Sequence, residues 1–368
     1  MESLAEDGEQ RREVLNGPTT SLGFAEVHKN RNDSAPSCSI YYELHGNPEA
    51  TQKILFITGF CTTCAAWDHQ IEYFAKLGDY QLCVFDNRCC GKTRCTYVNL
   101  STRLFAEDAR DLLDHLGWHD SIHLVGLSMG GMIAQELALL DPKRFLSLTL
   151  AVTHAGGPMG ISPISGWPHL LSYAKARSKD GKLKALLNLN FSKKFVGEHF
   201  QPTYDWHAAR YWGPHLLSVV GHTLAVMRHY VSTKRLEVLR EAHYPVLILT
   251  GTEDRNSHML ARFLRADFQV LEGGHMINIE RYQEFNELLH THFVEHFTDD
   301  DTLVDPPQQT MAGKKTGVEP EASTASVDSS DGSEAVTVEA VAVEGHCTGD
   351  DGIYDFTRVE IFAALPRS

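Results

Sequence analysis

Residues 123–136 read HLVGLSMGGMIAQE, and the fold is decided there. Ile122, Leu124, Val125 and Leu127 are apolar and mostly β-prone, the composition of a buried strand. From Met129 onward, Met132, Ile133, Leu137 and Leu140 recur at helical spacing, and Pro142 follows the expected stop. Only Gly126-Leu127-Ser128-Met129-Gly130 separates the two patterns, so the chain must pass from strand to helix at a single residue. Such a turn forces a strained backbone at Ser128, and the flanking glycines leave room where a Cβ would collide with the neighbouring element. The serine hydroxyl is then exposed at the carboxyl edge of a sheet, with the free N–H groups of a helix amino terminus aimed at it. Five small residues can match this pattern by chance; a strand before and a helix after argue against chance.

The surrounding chain repeats the alternation. GFAEVH and CSIYYELHG read as a β-hairpin pair, and KILFIT precedes a helix around Trp67 to Leu77. YQLCVFD precedes a helix from about Ser101 to His115, and FLSLTLAV follows the Ser128 helix. Later, PVLILTG is followed by SHMLARFLR, and FQVLEGG by YQEFNELLHTHFVEHF. Strand alternating with helix predicts an α/β architecture, a mostly parallel central sheet flanked by helices, with functional groups on loops at the strands' carboxyl ends. Residues 155–240 break the rhythm: they lack strand patterns and carry helical ones together with Trp167, Trp206, Tyr211 and Trp212. Lying between two sheet strands, they should form an inserted helical cap, its aromatics serving either a ligand or simply the cap's own core.

The expected domains are a polar leader over 1–19, a core over 20–154 and 241–298, the cap over 155–240, and a tail over 299–368. The net charge of −15 belongs mostly to that tail, which carries −11 and leaves −4 for everything before it. Rich in Ser, Thr, Gly and Pro, the tail has too little apolar surface to offset its ordering entropy and is expected to be disordered. Its last stretch, YDFTRVEIFAALPRS, regains apolar character and either docks or forms a short helix. The body is not basic, so a nucleic-acid partner is not expected; no apolar run reaches the ~20 residues of a membrane span. The acidic, polar start is unlike a targeting segment, which predicts a cytoplasmic protein, reduced thiols for its eight cysteines and no meaning for the sequons at Asn32, Asn99 and Asn190. Oligomeric state is not written in the sequence.

A nucleophilic serine needs a base and a group that orients the base. Among 20 histidines, His275 stands out because it follows FQVLEGG, a strand end opened by two glycines. PVLILTGTEDRN supplies Glu253 and Asp254 at the end of another strand. Gly-Lys-Thr in CCGKTR suggests a phosphate loop, but that motif needs a glycine five residues before Gly91, where Asp86 stands. Cys61, Cys64, Cys89, Cys90 and Cys95 fall on two loops that can be neighbours; incidental buried thiols are expected rather than a metal or redox centre.

With the order serine, acid, histidine established, the chain resembles the α/β-hydrolase-fold serine hydrolases over roughly residues 20–298. The resemblance rests on FITGF, FDNRCCGKT, AEDARDLLDHLG, GLSMGGMIAQ, LTGTEDRN and GGHMINIE. GLSMGG is especially similar to enol-lactonases, carboxylesterases and methylesterases of the superfamily. The resemblance places the acid three residues beyond Gly251, at Asp254, and implies oxyanion-binding amides at Phe60 and Met129. It implies hydrolysis of a small to medium hydrophobic ester or lactone through an acyl-enzyme, with no metal or organic cofactor. The same residues are compatible with an acyltransferase, a thioesterase or a C–C hydrolase, and the fold also serves non-catalytic ligand-binding and interaction proteins. Two departures stand out: Thr58 replaces the family's usual His, and Cys89 occupies a turn position that normally takes glycine.

Overall fold

In a computed structural model, the structure describes residues 21–29, 36–96, 99–157, 172–173, 175–210, 213–254 and 257–295. The leader, the acidic tail with its final apolar stretch, Asn32, Trp167, Tyr211 and Trp212 lie outside them.

The described strands form one nine-stranded sheet. They are β1 (Ser21–Val27), β2 (Cys38–Gly46), β3 (Gln52–Ile57), β4 (Tyr80–Phe85), β5 (Arg94–Cys95), β6 (Ile122–Leu127), β7 (Phe145–Ala151), β8 (Val246–Gly251) and β9 (Asp267–Leu271). Their spatial order is β1-β2-β4-β3-β6-β7-β8-β9, with β5 paired to β2. β1, β2 and β4 run antiparallel to one another in turn, while every pair from β4 through β9 is parallel. Each expected strand is present; the two-residue β5 is an addition too short to leave a periodic signal.

Among the described residues, ten α-helices connect or flank these strands: α1 (Asp68–Leu77), α2 (Thr102–Leu116), α3 (Met129–Leu140), α4 (Lys179–Asn190), α5 (Lys193–Arg210), α6 (Leu216–Arg228), α7 (Thr233–Arg240), α8 (His258–Leu264), α9 (Ile277–Glu280) and α10 (Tyr282–Glu295). The middle strands are apolar on both faces because both faces are covered. In β3, Leu55 and Ile57 pack with α2 and α3 residues such as Phe105 and Ile133. Ile54 and Phe56, pointing the other way, pack with Phe74 of α1 and Phe285 of α10. Helices α4 to α7 are inserted between β7 and β8. Among the described residues, no helix is long and apolar enough to cross a membrane.

The buried strand β6 carries one polar exception near its amino end. His123 stacks on Phe293 at 4.2 Å, and its ring nitrogens lie 2.8 Å from Ser147 Oγ and 3.0 Å from Gln52 Oε1. Burial, followed by the neighbouring His292, pushes its pKa from 6.5 down to about 3. The folded chain therefore holds the ring neutral in a range where the unfolded chain takes up a proton. Its contribution to stability is complete above pH 6.5 and is lost as pH falls toward 3. Urea titrations at pH 7 and pH 5 should show His123→Gln losing roughly 2 kcal/mol less than the wild type between the two conditions. Equal losses would mean that His123 is not held neutral in the fold.

Candidate active site

β6 ends at Leu127 and α3 begins at Met129, so the whole strand-to-helix turn is Ser128. Its φ of 57° and ψ of −120° lie where a side chain is rarely tolerated, a strain of order 1–3 kcal/mol. Close packing holds it there. A Cβ on Gly126 would come within 2.4 Å of the Gly130 carbonyl oxygen, and one on Gly130 within 2.1 Å of the Ile57 oxygen. Ser128 N–H donates to Ala151 O at 2.8 Å, and Thr153 Oγ1 donates to Ser128 O at 2.8 Å.

The ends of β8 and β9 bring the other two groups. A Cβ on Gly251 would come within 2.2 Å of Gly274 O, so the two strand ends touch only because that residue is glycine. Thr252 N–H donates to Leu271 O at 2.9 Å and Glu253 N–H to Gly273 O at 3.0 Å, zipping the two loops together. Asp254 is 7% exposed, whereas Glu253 is an exposed residue at the cavity's rim. His275 Nδ1–H donates to Asp254 Oδ2 at 2.5 Å. That bond leaves Nε2 as the acceptor, and Ser128 Oγ donates to it at 2.8 Å. The structure thus brings Ser128, His275 and Asp254 into one hydrogen-bonded line, and Glu253 is outside it.

Glu280, in the GGHMINIE stretch, had no role in the sequence reading. Its carboxylate accepts from Gly274 N–H at 3.0 Å and from Ser192 N–H at 3.1 Å, and also from Ser192 Oγ. Met276 N–H donates to Asn190 O at 2.8 Å. The His275 loop is consequently fastened to the junction of α4 and α5.

The loop after β3 runs beside the serine: a Cβ on Gly59 would sit 3.2 Å from Ser128 Cβ. Among the described residues, no hydrogen bond takes up the amides of Phe60 or Met129, the latter being the free first N–H of α3. Thr58 serves as an anchor, its carbonyl and hydroxyl oxygens lying 3.0 and 3.2 Å from Asn87 Nδ2. The next anchor comes from the insertion. Cys61, itself at φ 47°, donates its N–H to His222 Nδ1 at 3.2 Å. His222 Nε2–H must then be the donor to Arg88 O, 3.0 Å away. Burial lowers the His222 pKa, which favours the neutral ring that this pairing needs. No motif marked His222; its one sequence signal is a lone imidazole in the apolar stretch LLSVVGHTLAVMR.

The FDNRCCGKT segment is built on carboxylates, not phosphate. Asp86 accepts from the amides of Cys64 and Lys92, each at 2.8 Å, and a Cβ on Gly91 would come within 2.0 Å of its Oδ2. Arg88 is fully buried and forks onto Asp108 of AEDARDLLDHLG at 2.9 and 2.6 Å. Cys89 does take the glycine-like position, with φ 60°. The loop cysteines face different partners. Cys64 Sγ points to Glu43 Oε1 at 3.6 Å and Cys90 Sγ to Thr62 O at 3.4 Å, while Cys95 lies opposite Cys38 in strand register. None of the described cysteines is in a disulfide, and no group among the described residues is arranged to hold a metal ion.

Ser128 and His275 open into a cavity of about 690 Å³. Phe60 and Leu127 line it from the core, and Leu183, Leu186, Phe191 and Trp206 from the insertion. Arg210 also reaches it, but its charge is spent on Asp68 at 2.9 Å and its plane on Trp206 at 4.2 Å.

A family model described as alpha/beta hydrolase family matches residues 54–288. The chain is 27% identical over 284 residues to a putative carbamate hydrolase, RutD, of Stutzerimonas stutzeri, covering 70% of this chain and 97% of the relative. It is 23% identical over 272 residues to 3-oxoadipate enol-lactonase 1 of Acinetobacter baylyi, covering 72% and 97%. Among solved structures, a thermophilic esterase from Thermogutta terrifontis superposes with a TM-score of 0.61 at 19% identity, covering 76% of this chain and all 100% of the other. The enol-lactonase of Burkholderia xenovorans does so with a TM-score of 0.59 at 18% identity, covering 72% and 99%. At those identities the structural likeness speaks for the fold.

The glycine argument makes a direct prediction. Gly130→Ala meets backbone oxygen and should lower stability by roughly 3 kcal/mol or more, or prevent folding. Gly197→Ala, in α5 with open space around it, should be neutral or stabilising by up to about 1 kcal/mol. Thermal unfolding of both variants checks the contrast; a Gly130→Ala protein as stable as the wild type would contradict the close approach to β3.

Proposed function

The chain belongs to the alpha/beta hydrolase family, and from that premise we propose that it is a serine hydrolase that cleaves a small to medium hydrophobic carboxylic ester or lactone through an acyl-enzyme. The observation that carries the reading is the line from Ser128 Oγ to His275 Nε2 (2.8 Å) and from His275 Nδ1 to Asp254 Oδ2 (2.5 Å). In this reading His275 takes the Ser128 proton as Oγ attacks the acyl carbon, and returns it to the departing oxygen. Asp254 fixes the tautomer and stabilises the imidazolium while it exists. The amides of Phe60 and Met129 receive the oxyanion, each worth on the order of 3 kcal/mol in the transition state. Water, activated by the same histidine, then frees the acid.

The apolar walls of the cavity favour a hydrophobic acyl or alcohol group, since apolar surface is removed from water on binding. The names of the relatives, an enol-lactonase and a putative carbamate hydrolase, point to the same kind of carbonyl chemistry. Labelling with a fluorophosphonate probe, followed by a panel of esters graded in acyl length, tests the proposal. Ser128→Ala should lose both labelling and hydrolysis with little change in melting temperature; labelling retained at another serine would overturn it.

Two further outcomes follow from the geometry. Asp254→Asn should lower turnover by a factor on the order of 10⁴ without unfolding the chain, and Glu253→Gln by less than about tenfold. The reverse pattern would reassign the acid. His222→Phe removes the acceptor for the Cys61 amide without touching substrate. Turnover should fall about tenfold with KM nearly constant, less than the loss of a whole oxyanion donor. An unchanged kcat would mean that the Phe60 loop holds its shape unaided.

A further inference from the structure

We propose that Cys38 and Cys95 form a redox-modification site, a cross-strand dithiol that a hydroperoxide converts to a disulfide, with Cys95 as the attacking sulfur. The site lies at the start of β2, where Cys38 pairs directly with Cys95 of β5 in antiparallel register. Directly opposed antiparallel residues have Cα atoms about 4.5–5.5 Å apart, within the ~4.4–6.8 Å that a disulfide spans. Cys89 lies in the neighbouring turn, and the buried Arg88 guanidinium acts electrostatically on all three thiols.

The three sulfurs are not equivalent. Cys38 and Cys89 are 2% and 5% exposed, while Cys95 is half-buried, the most exposed residue of the three. The S–H groups of Cys38 and then Cys89, with help from Arg88, favour the thiolate at Cys95 against the cost of burial and hold it below the usual thiol range. Its two donors shift the opposite way, as thiols that keep their protons. Cys61, the other half-buried thiol, is pushed up by burial to about 12. Cys89 is not in register with Cys95 and sits in the turn at φ 60°, so it is assigned as a hydrogen-bond donor and Cys38 as the resolving thiol.

The chemistry balances. The Cys95 thiolate attacks one peroxide oxygen, the O–O bond breaks, and hydroxide (or alkoxide) leaves and takes up the proton that Cys95 had released. The Cys38 sulfur then attacks the sulfur of the sulfenic acid; the S–O bond breaks and the departing hydroxide carries off the Cys38 proton as water. Two thiols lose one electron each, and one hydroperoxide gains both.

The test treats the full chain with one equivalent of hydrogen peroxide at pH 6 and maps the sulfurs by mass spectrometry of a non-reduced digest. A Cys38–Cys95 cross-link, reversed by dithiothreitol and formed at least about tenfold faster than any change at Cys61, is expected. In Cys38→Ser the sulfenic acid should persist at Cys95 and be trapped by dimedone; in Cys89→Ser the cross-link should still form, more slowly. A dominant Cys89–Cys95 link, or oxidation of Cys61 or Cys347 ahead of Cys95, would overturn the assignment. The wild-type map decides even if a serine variant folds poorly.

Discussion

One strained residue sets the terms for the rest of the fold. Ser128 at φ 57° and ψ −120° stores energy that local structure alone would release. It is held because β6 lies mid-sheet, between β3 and β7, and because α3 is pressed against β3 through Gly130 with no side chain between them. Since β3, β6, β8 and β9 are parallel, their carboxyl ends lie on one edge, and the Gly59 loop, the Asp254 turn and the His275 loop all arrive there. Moving the serine would require lifting α3 off the sheet, which would cost the packing of Ile133 and Leu137 in the core.

Much of this arrangement was legible because its causes are local. A strand of β-prone apolar residues, a single-residue turn and a helical period are encoded within twenty positions around Ser128, and the other parallel strands repeat the pattern. His275 was legible through the glycine pair before it, and Gly251 shows why: the two loops pack backbone to backbone. Asp254 over Glu253 was a choice between adjacent carboxylates, and the turn closed by Asp254 N–H on Gly251 O at 3.0 Å turns the shorter one inward. The spatial exchange of β3 and β4 was not legible, since register between strands depends on partners far apart in the chain.

What stayed hidden was long-range in the same sense. The bond between Cys61 and His222 spans 161 residues, and that between Ser192 and Glu280 spans 88. A chain with 20 histidines gives no reason to prefer His222 until α6 is seen to bury its ring against the Phe60 loop, where the two rings meet at 5.9 Å. The thiol grouping was hidden differently. Proximity in sequence suggested loop cysteines 61, 64, 89, 90 and 95, but the pleat of β2 and the short β5 select Cys38 in place of Cys61, Cys64 and Cys90.

These hidden contacts meet at Arg88. Its guanidinium is fixed by Asp108 of α2, and its carbonyl accepts from His222 of α6, whose other nitrogen holds the Cys61 amide beside Phe60. Removing Asp108 would strand a buried cation at a cost of about 3–5 kcal/mol, and the turn that carries the carbonyl would lose its reference point. The insertion is therefore more than a cover over the cavity. Through His222 it sets the backbone beside Ser128 from one side, and through Ser192 and Glu280 it sets the His275 loop from the other. An insertion tied to both loops cannot shift as a rigid lid without disturbing the geometry at Ser128.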